Sequence, residues 1–451
     1  MESKAYSKIV LVICGAGFLL GTLFSINFSR LVGVSNEYDI KRLIVIFCIC
    51  FFSLLLTFVK SIEFKKVPIK IKLLGTIILL AGLYSSFMSK NPFFSGIELI
   101  YNGLLLIYFA FFVICMRALE KNKLYFGVYL YFLFFSIFTF VKYLLFLVFF
   151  YFDAKSFNIH ELVYGYVNVR FFNQLQVMII PILFWPFFHP ECKRYKLASI
   201  IIISLHWVVL LQSEARGAAL SLIISTGVLG YFLPSEKRFK LFFTSVKAFL
   251  FGGVLWLILI IIIPNWLMNV ENLQLRTGSS GRIDLWFYSV KSIVDNIWFG
   301  FGPMSFAWAE GKPLYNAHPH NSVIQLLYEY GVVTWSVIVF GVFYFLRGKI
   351  QGLKCEYFQK TTPFLLSIFS GLIYSLFSGV IVMPFSQILL VFLVALVCHE
   401  GGAGYYKVRK NTTVILFIST LTGAGIILSS YHHEQLLPAL FPRLWVNGLI
   451  G

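Results

Sequence analysis

The sequence predicts an all-α fold, a polytopic bundle of about 12–13 transmembrane helices with one long outward loop that carries short amphipathic helices. Three observations predict it. First, 59% of the 451 residues are hydrophobic and only 12% are charged, whereas a soluble domain carries roughly a quarter charged residues. One or two soluble cores could not hide that much apolar surface. Second, apolar runs of ~20 residues, each long enough to cross a hydrocarbon core of ~30 Å, recur from end to end. Third, Lys and Arg gather in short clusters between those runs, in alternate connections, which is the pattern that sets membrane orientation.

Candidate spans cover 9–28, 43–60, 73–89, 97–116, 124–152, 172–188, 197–212, 217–233, 241–264, 321–346, 362–382, 384–399 and 412–430. The two runs flanking Met383-Pro384 also read as one broken helix, so twelve and thirteen spans both stand. The chain divides into an N-terminal bundle of about nine spans (1–264), a long loop (265–320), a C-terminal group of helices (321–430) and a short tail (431–451). With the N-terminus inside, the clusters around Lys65, Arg117, Lys193, Arg238, Lys349 and Arg409 fall in phase on the inner side. The loops 153–171 and 265–320 then face outward. With thirteen spans the tail ends outside; with twelve it ends inside.

The net charge of +18 is thus a topology signal, and nucleic acid is excluded as a partner; membrane lipid is the expected surroundings. Lys4 and Lys8 flank an apolar run that lacks a polar cleavage region, so the first span reads as a retained helix. Cys14, Cys48, Cys50 and Cys115 lie in spans, and Cys192, Cys355 and Cys398 lie in or beside inner loops. No disulfide framework follows, and no spacing suits a zinc site, so no metal is expected. There is no Walker A motif and no internal repeat.

Polar residues are costly in such a chain, and the outward ones point to function. Arg216, in Ser213-Glu214-Ala215-Arg216-Gly217, stands at an outer turn against the orientation bias. It reads either as an interface anchor or as an anion contact, since guanidinium binds phosphate oxygens in bidentate fashion. Arg282 follows Gly278-Ser279-Ser280-Gly281. Ser280 suits a helix cap there, and Ile283, Trp286, Val290, Ile293 and Ile297 predict an amphipathic helix of about four turns. A cation beside free backbone N–H groups suits an anion; Arg276 is a lesser candidate of the same type. His318-Pro319-His320-Asn321 marks the re-entry into the membrane, with Asn321 or Ser322 as cap. At ~100° per residue, Ile324, Leu327, Gly331 and Thr334 share a stripe with His320, narrowing at Gly331 where another helix can approach. Glu329 lies about opposite, on the face of Gln325, and does not orient His320. Imidazole is the side chain suited to take a proton near neutral pH, and two arginines suit a diphosphate leaving group.

His320-Asn321, nine residues, then Gly331-Val332-Val333-Thr334 resembles the histidine signature of bacterial O-antigen ligases and related polysaccharide polymerases. Gly281-Arg282, Trp286, Asp295-Asn296 and Phe299-Gly300-Phe301-Gly302-Pro303 resemble the loop ahead of it, and Ala215-Arg216-Gly217 resembles the arginine motif at an earlier helix junction. The resemblance implies an inverting, metal-independent glycosyltransferase without a cofactor, in the inner membrane with its site toward the periplasm. It would move a polysaccharide from undecaprenyl diphosphate to lipid A-core. His320 would activate the acceptor hydroxyl, Arg216 and Arg282 would hold the diphosphate, and Arg170, Asn173, His318 and Asn321 would line the site. Two departures stand out: Ile297-Trp298, where relatives carry proline after the asparagine, and Glu214 close to Arg216. A polymerase of the same family differs mainly in its acceptor. A polysaccharide-precursor transporter would need charges along a solvated path, and the predicted spans hold few, chiefly Lys142, Lys247 and Glu329.

Overall fold

The computed structural model describes residues 1–34, 36–153, 158–163, 165–268, 281–353, 359–398, 404–431 and 443–445. Among the described residues thirteen apolar helices form the bundle: α1 (Ser3–Thr22), α2 (Glu37–Thr57), α3 (Ile69–Phe87), α4 (Pro92–Ala118), α5 (Lys121–Phe152), α6 (Val169–Ile182), α7 (Lys196–Gln212), α8 (Arg216–Phe232), α9 (Ser235–Met268), α11 (Ser322–Gly352), α12 (Thr362–Tyr374), α13 (Pro384–Cys398) and α14 (Lys410–Leu428). A shorter helix, α10 (Arg282–Ile293), lies between α9 and α11. Ten of the bundle elements are long and apolar enough to cross a membrane, α6 with the turn that extends it to Phe188 and α7 with the turn that precedes it from Pro190; α8, α12 and α13 are shorter. Among the described residues the only sheet is the pair β1 (Glu63–Lys65) and β2 (Tyr405–Lys407), antiparallel, with Phe64 opposite Tyr406. The chain is an all-α, multi-pass membrane protein.

The basic connections meet at one end of the bundle. Arg117 pairs with Glu63 beside the β1–β2 ladder, Lys237 donates to Gln359, and His189 Nε2 meets the Lys360 carbonyl at 3.3 Å. The segments 158–163, 165–169, 213–216, 281–321 and 375–383 meet at the opposite end. Local chemistry sets the helix starts there. Asn168 accepts from the Arg170 N–H, and Asn321 accepts from those of Val323 and Ile324, satisfying donors that a first turn leaves orphaned.

Several helices start earlier than expected, and the start of α2 matters most for the interior. Asn36 caps α2 by accepting from Tyr38 and Asp39, so the helix begins at Glu37 instead of residue 43 and carries Lys41 and Arg42 into the bundle. Both are buried, Arg42 at 1% exposure. The interior also holds a polar chain in which His206 of α7 meets Ser136 of α5 at 3.0 Å and Gln176 of α6 at 3.1 Å. The His206 ring, the Ser136 hydroxyl and the Gln176 amide nitrogen are thereby partnered, whereas Gln176 Oε1 meets no hydrogen-bond partner among the described residues.

The long loop does not simply cap the bundle. α11 breaks at Gly331, where φ is 70° and ψ 177°. Segment 297–302 runs alongside the break: Phe301 N–H donates to the Tyr328 carbonyl and Gly302 N–H to that of Glu329, both at 2.9 Å, while Val332 N–H donates to Ile297 at 2.8 Å. A Cβ on Gly331 would fall 2.3 Å from the Trp298 oxygen, and one on Gly300 2.6 Å from the Glu329 carbonyl carbon. Gly331 therefore admits a turn of the loop, not a second helix. Because the helix is interrupted there, no stripe runs unbroken from His320 to Thr334.

Candidate functional site

The residues singled out by sequence stand on four segments at this end. Arg170 opens α6 and donates from Nη1 to the Glu214 carbonyl at 3.3 Å. Glu214 has φ 48°, a sparsely populated conformation for a residue with a side chain; it ends the turn that places Arg216 at the start of α8. Asn173 is fully buried, its Nδ2 donating to Ser213 Oγ at 3.2 Å. It pins α6 to this turn. Arg216 is exposed, and its side chain meets no hydrogen-bond or ion partner among the described residues.

Arg282 is the first residue of α10, after Gly281 at φ 70°. Its Nη1 donates to the Phe377 carbonyl at 2.9 Å. The Phe377 side chain in turn lies against Gly217, where an added Cβ would fall 2.7 Å from Phe377 Cβ. Phe377 is thus the common neighbour that brings the Arg216 and Arg282 segments together. Ser280 and Arg276 lie outside the described residues. The buried face of α10 carries Leu285 and Ser289, while Ile283 and Val290 are 48% and 55% exposed. The helix packs on α11 through Leu285, which joins Phe306 and Tyr328 in a small core. Its other face is apolar and open, as suits an element at a membrane boundary.

His320 has φ 55° and precedes α11, so its side chain is set by the turn and not by the helix wheel. Its Nε2 faces Asn316 Nδ2 at 3.2 Å. His318 is 2% exposed, and its ring lies against Gly379, where a Cβ would fall 2.7 Å from Cε1. Trp286 Nε1 donates to the Pro319 carbonyl at 2.8 Å, and Lys312 Nζ donates to the carbonyls of Phe306, Ala307 and Asn316 at 2.8–2.9 Å. These bonds hold the histidine turn between α10 and the loop. Asn321 is spent on capping.

Burial, then the charges of Arg282 and Arg170, hold His320 down at about 3, so its imidazole is neutral near pH 7. His318 is held well below the usual histidine range by burial, then by His320, Arg443 and Arg282. Burial and then Arg443 lower Lys312 to about 8. The site therefore combines two neutral imidazoles with guanidinium groups from two directions. Among the described residues no cluster of His, Cys, Asp or Glu is arranged to hold a metal.

Two features escaped sequence reasoning. The turn 375–383 is the hub: Ser375 O accepts from Ser322 N–H at 2.8 Å, Phe377 anchors Arg282, Ser378 accepts from Gln174 at 3.0 Å, and Gly379 seats His318. Its only signal was the polar and small pair Ser378-Gly379 inside an apolar run. The other feature is a buried charged network of Arg42, Glu98, Glu329 and Arg443. Glu329 indeed does not serve His320; it accepts from Gln325 at 3.3 Å and from Arg443 at 2.7 Å.

Fold and site define a multi-pass membrane protein with a histidine–arginine cluster at one end of a helical bundle. Residues 198–339 match the family model Wzy_C, described as O-antigen ligase, and this segment, from α7 to the middle of α11, places the resemblance in that family. It contains Arg216, Arg282, His318, His320 and Asn321, whereas Arg170, Asn173 and Arg443 lie outside it. No curated protein and no solved structure matches the chain.

Proposed function

We propose that the protein is a glycosyltransferase of lipopolysaccharide biosynthesis that moves a polysaccharide from undecaprenyl diphosphate to a hydroxyl of lipid A-core on the outer, periplasmic face of the inner membrane. The observation that carries this reading is the convergence of His320, Arg282, Arg170 and Arg216 through the shared neighbours Phe377 and Glu214. The family match over residues 198–339 supports it.

In this scheme the acceptor oxygen attacks the anomeric carbon as the bond from that carbon to the diphosphate oxygen breaks. The displacement is single, so configuration inverts, and no metal is required. The proton of the hydroxyl passes to His320, and the negative charge that develops on the leaving diphosphate falls to the arginines, whose fixed positive charge is the chief source of rate in such a site. Bound diphosphate also offsets the charges that depress His320, raising its basicity when the donor arrives. An apolar crevice of about 270 Å³, lined by Pro181, Trp207, Leu222, Phe242, Phe249 and Leu366, opens below. Leu222 is six residues into α8 from Arg216, roughly 9 Å along the axis, so the crevice suits the lipid of a donor whose diphosphate lies at Arg216.

The test is lipopolysaccharide profiling in a ligase-null strain complemented with His320→Ala. Loss of polymer on core, with the protein still in the membrane, is expected. A normal ladder overturns the assignment. Free lipid-linked polymer beside bare core marks a ligase, whereas a single repeat on core marks a polymerase.

A further inference from the structure

The described part of the tail, Arg443-Leu444-Trp445, lies inside the bundle. Arg443 and Trp445 are 2% and 0% exposed. The Arg443 guanidinium sits between carboxylates of two helices. Its Nε and Nη2 donate to Glu98 of α4 at 3.0 and 2.6 Å, and Nη2 donates to Glu329 of α11 at 2.7 Å. Its carbonyl accepts from the Tyr38 hydroxyl and, at 3.2 Å, from Arg42 Nη2, both on α2. Trp445 Nε1 donates to Ser430 Oγ at 3.0 Å, just past α14. One tail residue therefore binds α2, α4 and α11 together.

Both arms of this network end in the site. On the α11 side, the Glu329 carbonyl receives the Gly302 N–H and the Ser85 hydroxyl at the break that seats the loop. The same helix begins at the Asn321 cap. On the α2 side, Arg42 Nη2 also donates to the Val382 carbonyl at 3.0 Å. Val382 belongs to the 375–383 turn that anchors Arg282, His318 and Ser322. A buried ion triad is poor glue, because desolvation consumes much of the attraction. It does fix geometry, since each charge tolerates only one arrangement of its partners.

We infer that Arg443 is a positioning residue of the transfer site, holding the α11 break and the 375–383 turn in one register and thereby His320 against Arg282. The inference rests on the glycosyl-transfer reading above. It assigns to the tail a part in the site, although the tail lies outside the family match and supplies no group to the reacting atoms.

The test uses the full chain in lipid nanodiscs, with an undecaprenyl-diphosphate-linked oligosaccharide as donor and lipid A-core as acceptor. Arg443→Ala is expected to lower kcat by about 100-fold, the loss that a misplacement of ~1 Å produces, with the donor KM nearly unchanged. Amide exchange should quicken at Phe301, Gly302 and Val382. Arg443→Lys, which keeps the charge but not the forked geometry, should recover part of kcat. Tyr38→Phe removes one donor to the Arg443 carbonyl and should give a milder loss of kcat; it decides the matter if Arg443→Ala fails to fold. Unchanged kcat in Arg443→Ala, even with faster exchange, overturns the inference, as does unchanged kcat in Tyr38→Phe when the alanine variant is not obtained. His320→Ala measured alongside separates the two claims. If it is inactive while Arg443→Ala is fully active, only the positioning role falls; if it retains transfer, the reading beneath falls too.

Discussion

The backbone N–H of His320 donates to Nδ1 of His318 across 3.2 Å. With Nδ1 as acceptor, the proton of the neutral His318 ring sits on Nε2, and its ring stands edge-on to that of His320 with centroids 4.3 Å apart. The bond also satisfies a donor that the left-handed conformation of His320 would otherwise leave buried and unpaired. His318 is thus the support on which the proposed base rests.

That relationship predicts an unequal pair of variants. His318→Ala removes the acceptor and the ring packed on Gly379, and transfer should fall by roughly 5- to 150-fold, since a buried orphan donor costs about 1–3 kcal/mol. His318→Asn should retain more activity, because an asparagine carbonyl reaches the N–H two residues on in an Asx turn. Initial rates of transfer in membrane vesicles, normalised to protein content, check this. Equal losses in both variants would mean that the hydrogen bond is not what the site needs from His318.

The acid side of the pH profile should report on Arg282. His320 is neutral above about 3 in the donor-free protein, so kcat/KM should keep its base down to unusually low pH and lose it only as pH falls through that value. The arginine charge is one cause of the depression, so Arg282→Gln should raise His320 and move the acid limb to higher pH. The sign for stability follows from the same shift. An unfolded histidine titrates near ~6.5, so the docked turn has its full stability above that pH and loses it as pH falls from there toward 3. Proteolysis of segment 281–321 across this window, together with the kcat/KM profile, tests both. An acid limb of Arg282→Gln that stays in place removes Arg282 from the surroundings of His320.

Much of this was legible in the sequence because the membrane imposes simple rules. Spans and basic clusters follow from hydropathy and charge, and the cap at Asn321 follows from its side chain and the preceding Pro319. The start of α2 was not legible, since Glu37-Tyr38-Asp39 and Lys41-Arg42 look like a solvated connection until Arg42 is seen against the Tyr101 ring at 4.5 Å and the Val382 carbonyl. Gly331 was singled out for its size, but its positive φ could not be told from a helical glycine. The neighbours that organise the site, Phe377 and Arg443, are far in sequence from the residues they serve. No local pattern announces such a contact.

The break in α11 makes Gly331 intolerant of any side chain. Its φ of 70° with ψ of 177° belongs to a region nearly closed to other residues, at about 1–3 kcal/mol, and the Trp298 carbonyl lies where a Cβ would go. Gly331→Ala should therefore displace segment 297–302, lower the Tm of the purified protein and abolish transfer. Gly341, in the same helix, has no heavy atom within 4 Å of the corresponding position, so Gly341→Ala should leave Tm and transfer unchanged. Wild-type Tm and transfer in Gly331→Ala would show that the loop does not need its docking on the broken turn.

Arg216 offers the separation of stability from chemistry that the buried residues do not. It is exposed, and its side chain has no hydrogen-bond or ion partner among the described residues, so Arg216→Ala should change stability by no more than about 0.5 kcal/mol. If it holds the donor diphosphate, the same variant should raise the donor KM or lower kcat by about tenfold or more, because charge-assisted contacts to phosphate are among the stronger polar interactions. Arg216→Lys should fall between, keeping the charge without the fork. Transfer kinetics against donor concentration distinguish this from an anchoring role at the membrane boundary, in which lysine would substitute fully and alanine would alter insertion instead of turnover.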